Sequence, residues 1–392
     1  MTVKKKIHYL CVDDQMDSIP QLLDSVQPHS GRVEIHPMKP IEFEKQTAKI
    51  LQDYATGKLD GLLIDLRLDE PGPGIEPVSY TAQGLAQQLR VTAARENQAL
   101  TGFPIVLWTV NARLLELYQR DSTSDDLFDL TIQKERFVPN AKDIIEQLID
   151  LAEGYKWIIA SMKQGKSFAE IVEEPEQNPL DPRVADVLPA SRTALPHEYA
   201  LHVLRYLIDR PGPLIDQNYV LARLGTAKEC PGADKLLAKI PTKARYNGPF
   251  GVAWPRWWAA LIEQWWRDLV GDTEPRTLAG IPAPERIAIL GKKLGMRKLE
   301  PAKPIEDKDK YSDRFTTICQ CLCVPLDPVD GFALADRISR PWLEKRYVSR
   351  KVALSPARYN FREPLDGLER KRLERLISAI KEDGKKSRRS KS

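Results

Sequence analysis

The chain has 392 residues, with 59 Lys and Arg against 55 Asp and Glu and a formal net charge of +4. That length exceeds one ordinary hydrophobic core and calls for two or three domains. No run of about 18 apolar residues occurs, which argues against a membrane-spanning helix, and the apolar run after "MTVKKK" is too short for a secretory signal core.

The near balance of charge hides an asymmetry. Residues 1–155 hold 16 Lys and Arg against 24 Asp and Glu, a net of −8, which leaves +12 for the rest of the chain. The second half therefore suits an anionic partner better than the first. Five cysteines at irregular spacing make no disulfide framework, and a reducing cytoplasm is the expected location.

In chain order, "IHYLCV" (7–12) reads as a strand and "SIPQLLDSV" (18–26) as a helix. "RVEIHPM" (32–38) is a weaker strand, followed by a helix over 41–57 that ends at Gly57. "DGLLIDLRL" (60–68) is aliphatic without alternation, the mark of a strand covered on both faces. A helix over 81–97, a strand over 103–110, a helix over 111–120, a strand over 127–134 and a helix over 141–155 complete the series. Five βα units of this kind predict a doubly wound parallel sheet, with its ligand site at the carboxyl ends of the strands.

Several polar residues fall at those ends. Asp13 and Asp14 follow the first strand, Asp65 lies near the end of the third, Thr109 ends the fourth and Lys134 the fifth. Three converging carboxylates repel one another unless a cation joins them, and Mg²⁺ suits an oxygen-only site with few protein ligands. An ammonium and a hydroxyl opposite them are what a transferred phosphoryl group needs.

With these five residues in this order, the first 155 residues resemble the receiver domains of bacterial response regulators, of the CheY type. The resemblance implies a flavodoxin-like sheet in the order 2-1-3-4-5, the order for which CheY is a standard example. It implies Asp65 as phosphoacceptor and Mg²⁺ held by Asp13, Asp14, Asp65 and the backbone carbonyl of Arg67. Thr109 and Lys134 become the phosphoryl-binding and switch residues, and the partner is a histidine kinase or phosphotransfer protein. The chemistry the resemblance implies is the receiver's own phosphorylation and dephosphorylation; no P-loop, nucleophile elbow or zincin motif marks an enzymatic output, which stays open.

The chain departs from the family pattern in four places. Thr131 stands where an aromatic switch residue is usual, and Glu135 where a Pro commonly follows the lysine. Val110 is bulkier than the small residue often found there, and the loop over 69–80 is long and rich in Pro and Gly. The departures leave the acceptor chemistry in place but weaken the usual output switch, so an adaptor whose receiver serves only as a docking surface is an alternative reading.

Residues 156–192 read as a helical, Pro-rich linker, 193–384 as a mostly α-helical output or interaction module, and 385–392 as a disordered basic tail. Helices are expected over 197–210, 215–225, 254–271, 284–295 and 367–383. Trp254, Trp258, Leu261 and Trp265 fall on one helical face, with Trp257 and Trp266 widening the stripe. A core helix is one reading of that stripe and a partner-binding face the other. Lys243, Arg245 and Tyr246, in a Gly/Pro loop, join Trp257 and Trp266 as candidate contacts to a partner or to nucleic acid. Residues 202–225 loosely resemble the helix–turn–helix entry of winged-helix domains, so binding of DNA or RNA is a second alternative. "CQCLC" (319–323) reads as a strand with buried cysteines rather than a zinc site. A protein partner for the helical module, a homodimer and no membrane association complete the expectations.

Overall fold

The computed structural model describes residues 5–14, 31–68, 78–95, 102–109, 127–176, 179–188, 194–271, 277–305, 311–336 and 340–389. The helices expected over 18–26 and 111–120, Val110, residues 69–77 of the long loop and the last three residues lie outside these. The chain divides into two compact units: Met1–Tyr206 with Asn247–Trp254, and Leu207–Tyr246 with Pro255–Ser392.

The first unit is built on β1 (Ile7–Val12), β2 (Val33–Met38), β3 (Gly61–Asp65), β4 (Ile105–Thr109) and β5 (Leu130–Gln133). They pair in parallel in the order β2-β1-β3-β4-β5. Every residue of β3 and β4 is buried, as their unbroken aliphatic runs require. One face, with Leu10, Val12, Leu62, Ile64, Ile105 and Leu107, packs with buried residues of α1 (Phe43–Ala55) and α2 (Ala82–Arg95). On the other face Tyr9 reaches α4 (Ala141–Lys163), its hydroxyl donating to the Leu148 carbonyl at 2.7 Å. Gly61 is needed beneath that ring, because a Cβ there would lie 2.2 Å from Tyr9 Cε1.

β5 passes into α3 (Lys134–Phe137) with no residue between them, so Lys134 opens a helix where the sequence reading had it close the strand. α4 also runs past residue 155. The described residues of 156–176 and 179–188 pack as part of the first unit rather than as the expected linker, with Ile158, Phe168, Ile171, Val172 and Val184 buried. The segment 247–254 belongs to the same unit for a visible reason. Phe250 lies against Gly154 of α4, whose missing Cβ would stand 2.3 Å from the ring. The amides of Val252 and Ala253 donate to Oδ2 of Asp150 at 3.0 and 2.7 Å.

The second unit is mostly helical, with strands the sequence reading did not foresee. α6 (Gln217–Leu224), α7 (Ala259–Val270), α8 (Ala283–Leu294) and α9 (Gly367–Arg389) accompany a four-stranded sheet in the order β10-β11-β8-β9; α5 (Pro196–Val203) belongs to the first unit. Those strands are β8 (Thr317–Cys319), β9 (Val324–Leu326), β10 (Gly331–Ala333) and β11 (Tyr347–Ser349).

Three expectations need correction here. Trp257 and Trp258 form the short strand β7, paired with β6 (Leu214–Ile215), and the helix begins only at Ala259. The spacing from Trp254 to Trp265 therefore does not describe one helical face. β8 ends at Cys319 and turns into β9, so Cys321 and Cys323 sit in a hairpin rather than along a strand. α9 continues to Arg389 instead of giving way to a disordered tail at 385, as runs of good helix formers such as Lys and Arg allow.

Candidate phosphoryl-acceptor site

Asp13 and Asp14 leave β1 at its carboxyl end, and the Asp13 amide extends the ladder by donating to the Met38 carbonyl at 3.2 Å. Asp65 is the last residue of β3, paired in register with Trp108, and Thr109 is the last residue of β4, paired with Gln133. All five expected residues are buried: Asp13, Asp14, Asp65, Thr109 and Lys134.

The centre of the site is the Lys134 ammonium. It stands 2.6 Å from Asp13 Oδ2 and 2.7 Å from Asp65 Oδ1. The other Asp65 oxygen, Oδ2, accepts the Arg67 amide at 2.9 Å. Residues separated by more than a hundred positions thus meet because parallel strands deliver their carboxyl ends to one edge.

Burial decides the electrostatics. Desolvation, with Asp13 beside it, pushes the Asp65 carboxyl up to about 6, against the opposing pull of Lys134 and the Arg67 amide. For Lys134, burial alone would favour the neutral amine, but the Asp65 and Asp13 carboxylates outweigh it and hold the ammonium above its usual value. Two buried carboxylates, Asp13 and Asp65, share one ammonium, and the buried Asp14 follows Asp13 in the chain, so carboxylates outnumber the lysine at this edge. An all-oxygen donor set with that excess fits a hard divalent cation such as Mg²⁺.

Two residues that the sequence reading passed over support this edge. Trp108 and Phe137 meet edge to face, with ring centroids 4.9 Å apart and planes at 72°. Phe137 lies one helical turn beyond Lys134, so the contact fixes the short helix on which the lysine sits. An aromatic three residues after the lysine was the signal available for it.

The second-unit candidates are not brought together in the same way. Lys243 and Arg245 are exposed, but Tyr246, Trp257 and Trp266 are buried and unavailable to a partner or a nucleic acid. Tyr246 packs edge-on against Trp258 at 5.7 Å, and Trp266 is fully enclosed in the core. The winged-helix expectation fares no better. Tyr219, Val220, Leu221, Ala222 and Leu224 of α6 are buried, so most of the helix is committed to packing and only Gln217, Asn218 and Arg223 are partly open.

No family model and no curated protein matches the sequence. Among solved structures, a CheY-like receiver domain from Methylobacillus flagellatus is 15% identical, covering 37% of this chain and 99% of its own, with a TM-score of 0.25. A two-component response regulator from Cytophaga hutchinsonii is 16% identical, covering 38% and 99%, with a TM-score of 0.28. The phosphorylated cyanobacterial phytochrome response regulator is 14% identical, covering 37% and 94%, with a TM-score of 0.26. The first of these three is a CheY-like receiver domain and the other two are response regulators. By its own strand order, the N-terminal sheet of this chain is five-stranded, parallel and flavodoxin-like.

Proposed function

We propose that the first unit is a phosphoacceptor module of two-component type, taking a phosphoryl group on Asp65 from a histidine kinase or phosphotransfer protein and relaying its state to the basic second unit. The observation that carries the reading is the buried Lys134 ammonium held between Asp13 and Asp65. In the transfer, an Asp65 carboxylate oxygen forms a bond to phosphorus while the phosphorus–nitrogen bond of the phosphohistidine breaks, its electron pair staying on the imidazole. Lys134 then exchanges Asp65 for a phosphoryl oxygen, and the Thr109 hydroxyl donates to another. Asp13, Asp14, Asp65 and the Arg67 carbonyl would hold Mg²⁺, which when bound neutralises charge on the phosphoryl oxygens. A cytoplasmic setting belongs to the same proposal and agrees with the five free cysteines.

The test is incubation of the purified chain with acetyl phosphate and Mg²⁺. The expected result is a mass gain of one phosphoryl group that EDTA prevents and Asp65→Asn abolishes. Absence of that gain favours the second reading, an adaptor whose receiver only docks. Both Asp65 oxygens are already engaged, one by Lys134 and one by the Arg67 amide, which is the observation supporting it.

A further inference from the structure

Between the amino-terminal end and the middle of β1 and β2, away from the edge that carries Asp65, three side chains converge. In the register of β1 and β2, His8 lies opposite Glu34 and Leu10 opposite His36. Glu34 and His36 are two residues apart on one strand, so they share a face, and His8 shares it from the neighbouring strand. The ligand-capable atoms of the three all lie within 4.8 Å of one another.

We infer that His8, Glu34 and His36 form a zinc site on the β1–β2 edge, bound through two imidazole nitrogens and one carboxylate oxygen. His8 Nδ1 stands 3.1 Å from His36 Nε2 and 3.4 Å from Glu34 Oε2, and His36 Nε2 stands 4.0 Å from the same oxygen. A tetrahedral ion with ligands at about 2.0–2.1 Å keeps its ligand atoms roughly 3.3 Å apart, so small side-chain rotations suffice to close the triangle on a metal. The donor set separates this site from the aspartate edge. Imidazole nitrogen suits zinc, whereas Mg²⁺ takes oxygen ligands and keeps its waters.

The surroundings fit a site rather than a chance meeting. Lys6 bonds the other Glu34 oxygen, Oε1, which leaves Oε2 facing the imidazoles. That is the outer-shell arrangement that orients a ligating carboxylate. Three protein ligands leave a fourth position open, and a pocket of about 540 Å³ lined by His8, His36, Lys49 and Asp53 lies beside the group to admit water to it. His8 is a quarter exposed and His36 about half, so an ion has a path in. Asp13 follows the end of β1, five residues beyond His8 and three beyond Leu10, the partner of His36, which sets the two sites roughly 10–16 Å apart along the strand.

The test is calorimetric titration of Zn²⁺ into the full chain with Mg²⁺ present throughout, with Co²⁺ absorption as a reporter of four-coordinate geometry. One equivalent of zinc is expected. His36→Ala, at an exposed position, and Glu34→Gln, at a half-buried one, are each expected to weaken binding by at least about tenfold. Asp13→Asn, a change at the aspartate edge, is expected to leave zinc binding unchanged. The inference is overturned if no zinc binds at about 100 µM, which would leave only a His–His hydrogen bond. It is equally overturned if the His36 and Glu34 variants bind as the unmodified chain does, or if Asp13→Asn removes the binding.

Discussion

Lys134 and Asp150 are two residues whose burial has consequences that can be measured. Replacing Lys134 by Ala leaves Asp13 and Asp65 facing each other without their shared counter-charge. Breaking a buried ion pair from one side costs about 3–5 kcal/mol, so Lys134→Ala is expected to lower stability by that order in denaturant titrations without Mg²⁺. Adding Mg²⁺ is expected to restore part of it, since a cation bound only by the folded state stabilises by mass action. Asp150 behaves differently. Burial pushes its carboxyl up to about 6, even though the Ala253 and Val252 amides donate to it. Between the unfolded value and the folded one, the native state holds a proton that the unfolded chain has released. Stability is therefore fully present below about pH 4 and lost as pH rises through 6, by an amount on the order of 2–3 kcal/mol. Both amides reach the same oxygen, Oδ2, so a carboxamide oxygen can take its place. Asp150→Asn is expected to flatten the pH profile of melting between 4 and 6 and to be the more stable form above that window. The aspartate edge was legible in the sequence because its residues sit at strand ends, where chain order alone predicts convergence. His8, Glu34 and His36 were not, because their meeting depends on the β1–β2 register rather than on a spacing along the chain.

At the level of elements, one buried network ties two helices to two strands. Arg90 of α2 donates to Asp129 Oδ2 at 2.8 Å and to the Phe103 carbonyl at 3.0 Å. The Ile105 amide donates to the same aspartate oxygen at 2.8 Å, and the Tyr155 hydroxyl donates to Oδ1 at 2.7 Å. Asp129 thus fixes α2, the start of β4 and α4 against the entry to β5. Asp129→Ala strands the Arg90 guanidinium without its counter-charge and is expected to cost about 3–5 kcal/mol by chemical denaturation. A smaller loss would mean that the carbonyl of Phe103 holds the guanidinium unaided. Strands β1, β3 and β4 were legible because burial on both faces leaves long aliphatic runs. The sheet of β8 to β11 was not, because strands of three residues have no room to express a period of two. In the tryptophan-rich stretch the helical spacing was present but misleading. Pairing of Trp257 and Trp258 with Ile215 and Leu214, some forty residues earlier, overrides it locally.

For the molecule as a whole, the partition of charge is the feature that bears on partners. The +12 borne by residues 156–392 includes the basic surface of α9, where Arg370, Lys371 and Arg375 are exposed. If this surface takes a nucleic acid, binding must weaken steeply with salt, because neutralised phosphates release their counterions. Fluorescence anisotropy with a labelled duplex across a salt series is expected to give a log–log slope of roughly −0.9 per phosphate contacted; a flat line would remove nucleic acid from the partners. Composition alone made this asymmetry legible, but which side chains are free to act on it was visible only once Tyr246, Trp257 and Trp266 were found buried. The interleaving of the chain has a practical outcome for anyone dissecting it. The first unit needs residues 247–254 as well as 1–206, so a scissor cut after Tyr206 yields a truncated first unit with an empty seat beside Gly154 and an Asp150 stripped of both donors. Such a fragment should be less robust than the same sheet in the intact chain, and a peptide spanning 247–254, supplied in trans, is the missing piece that would mend it.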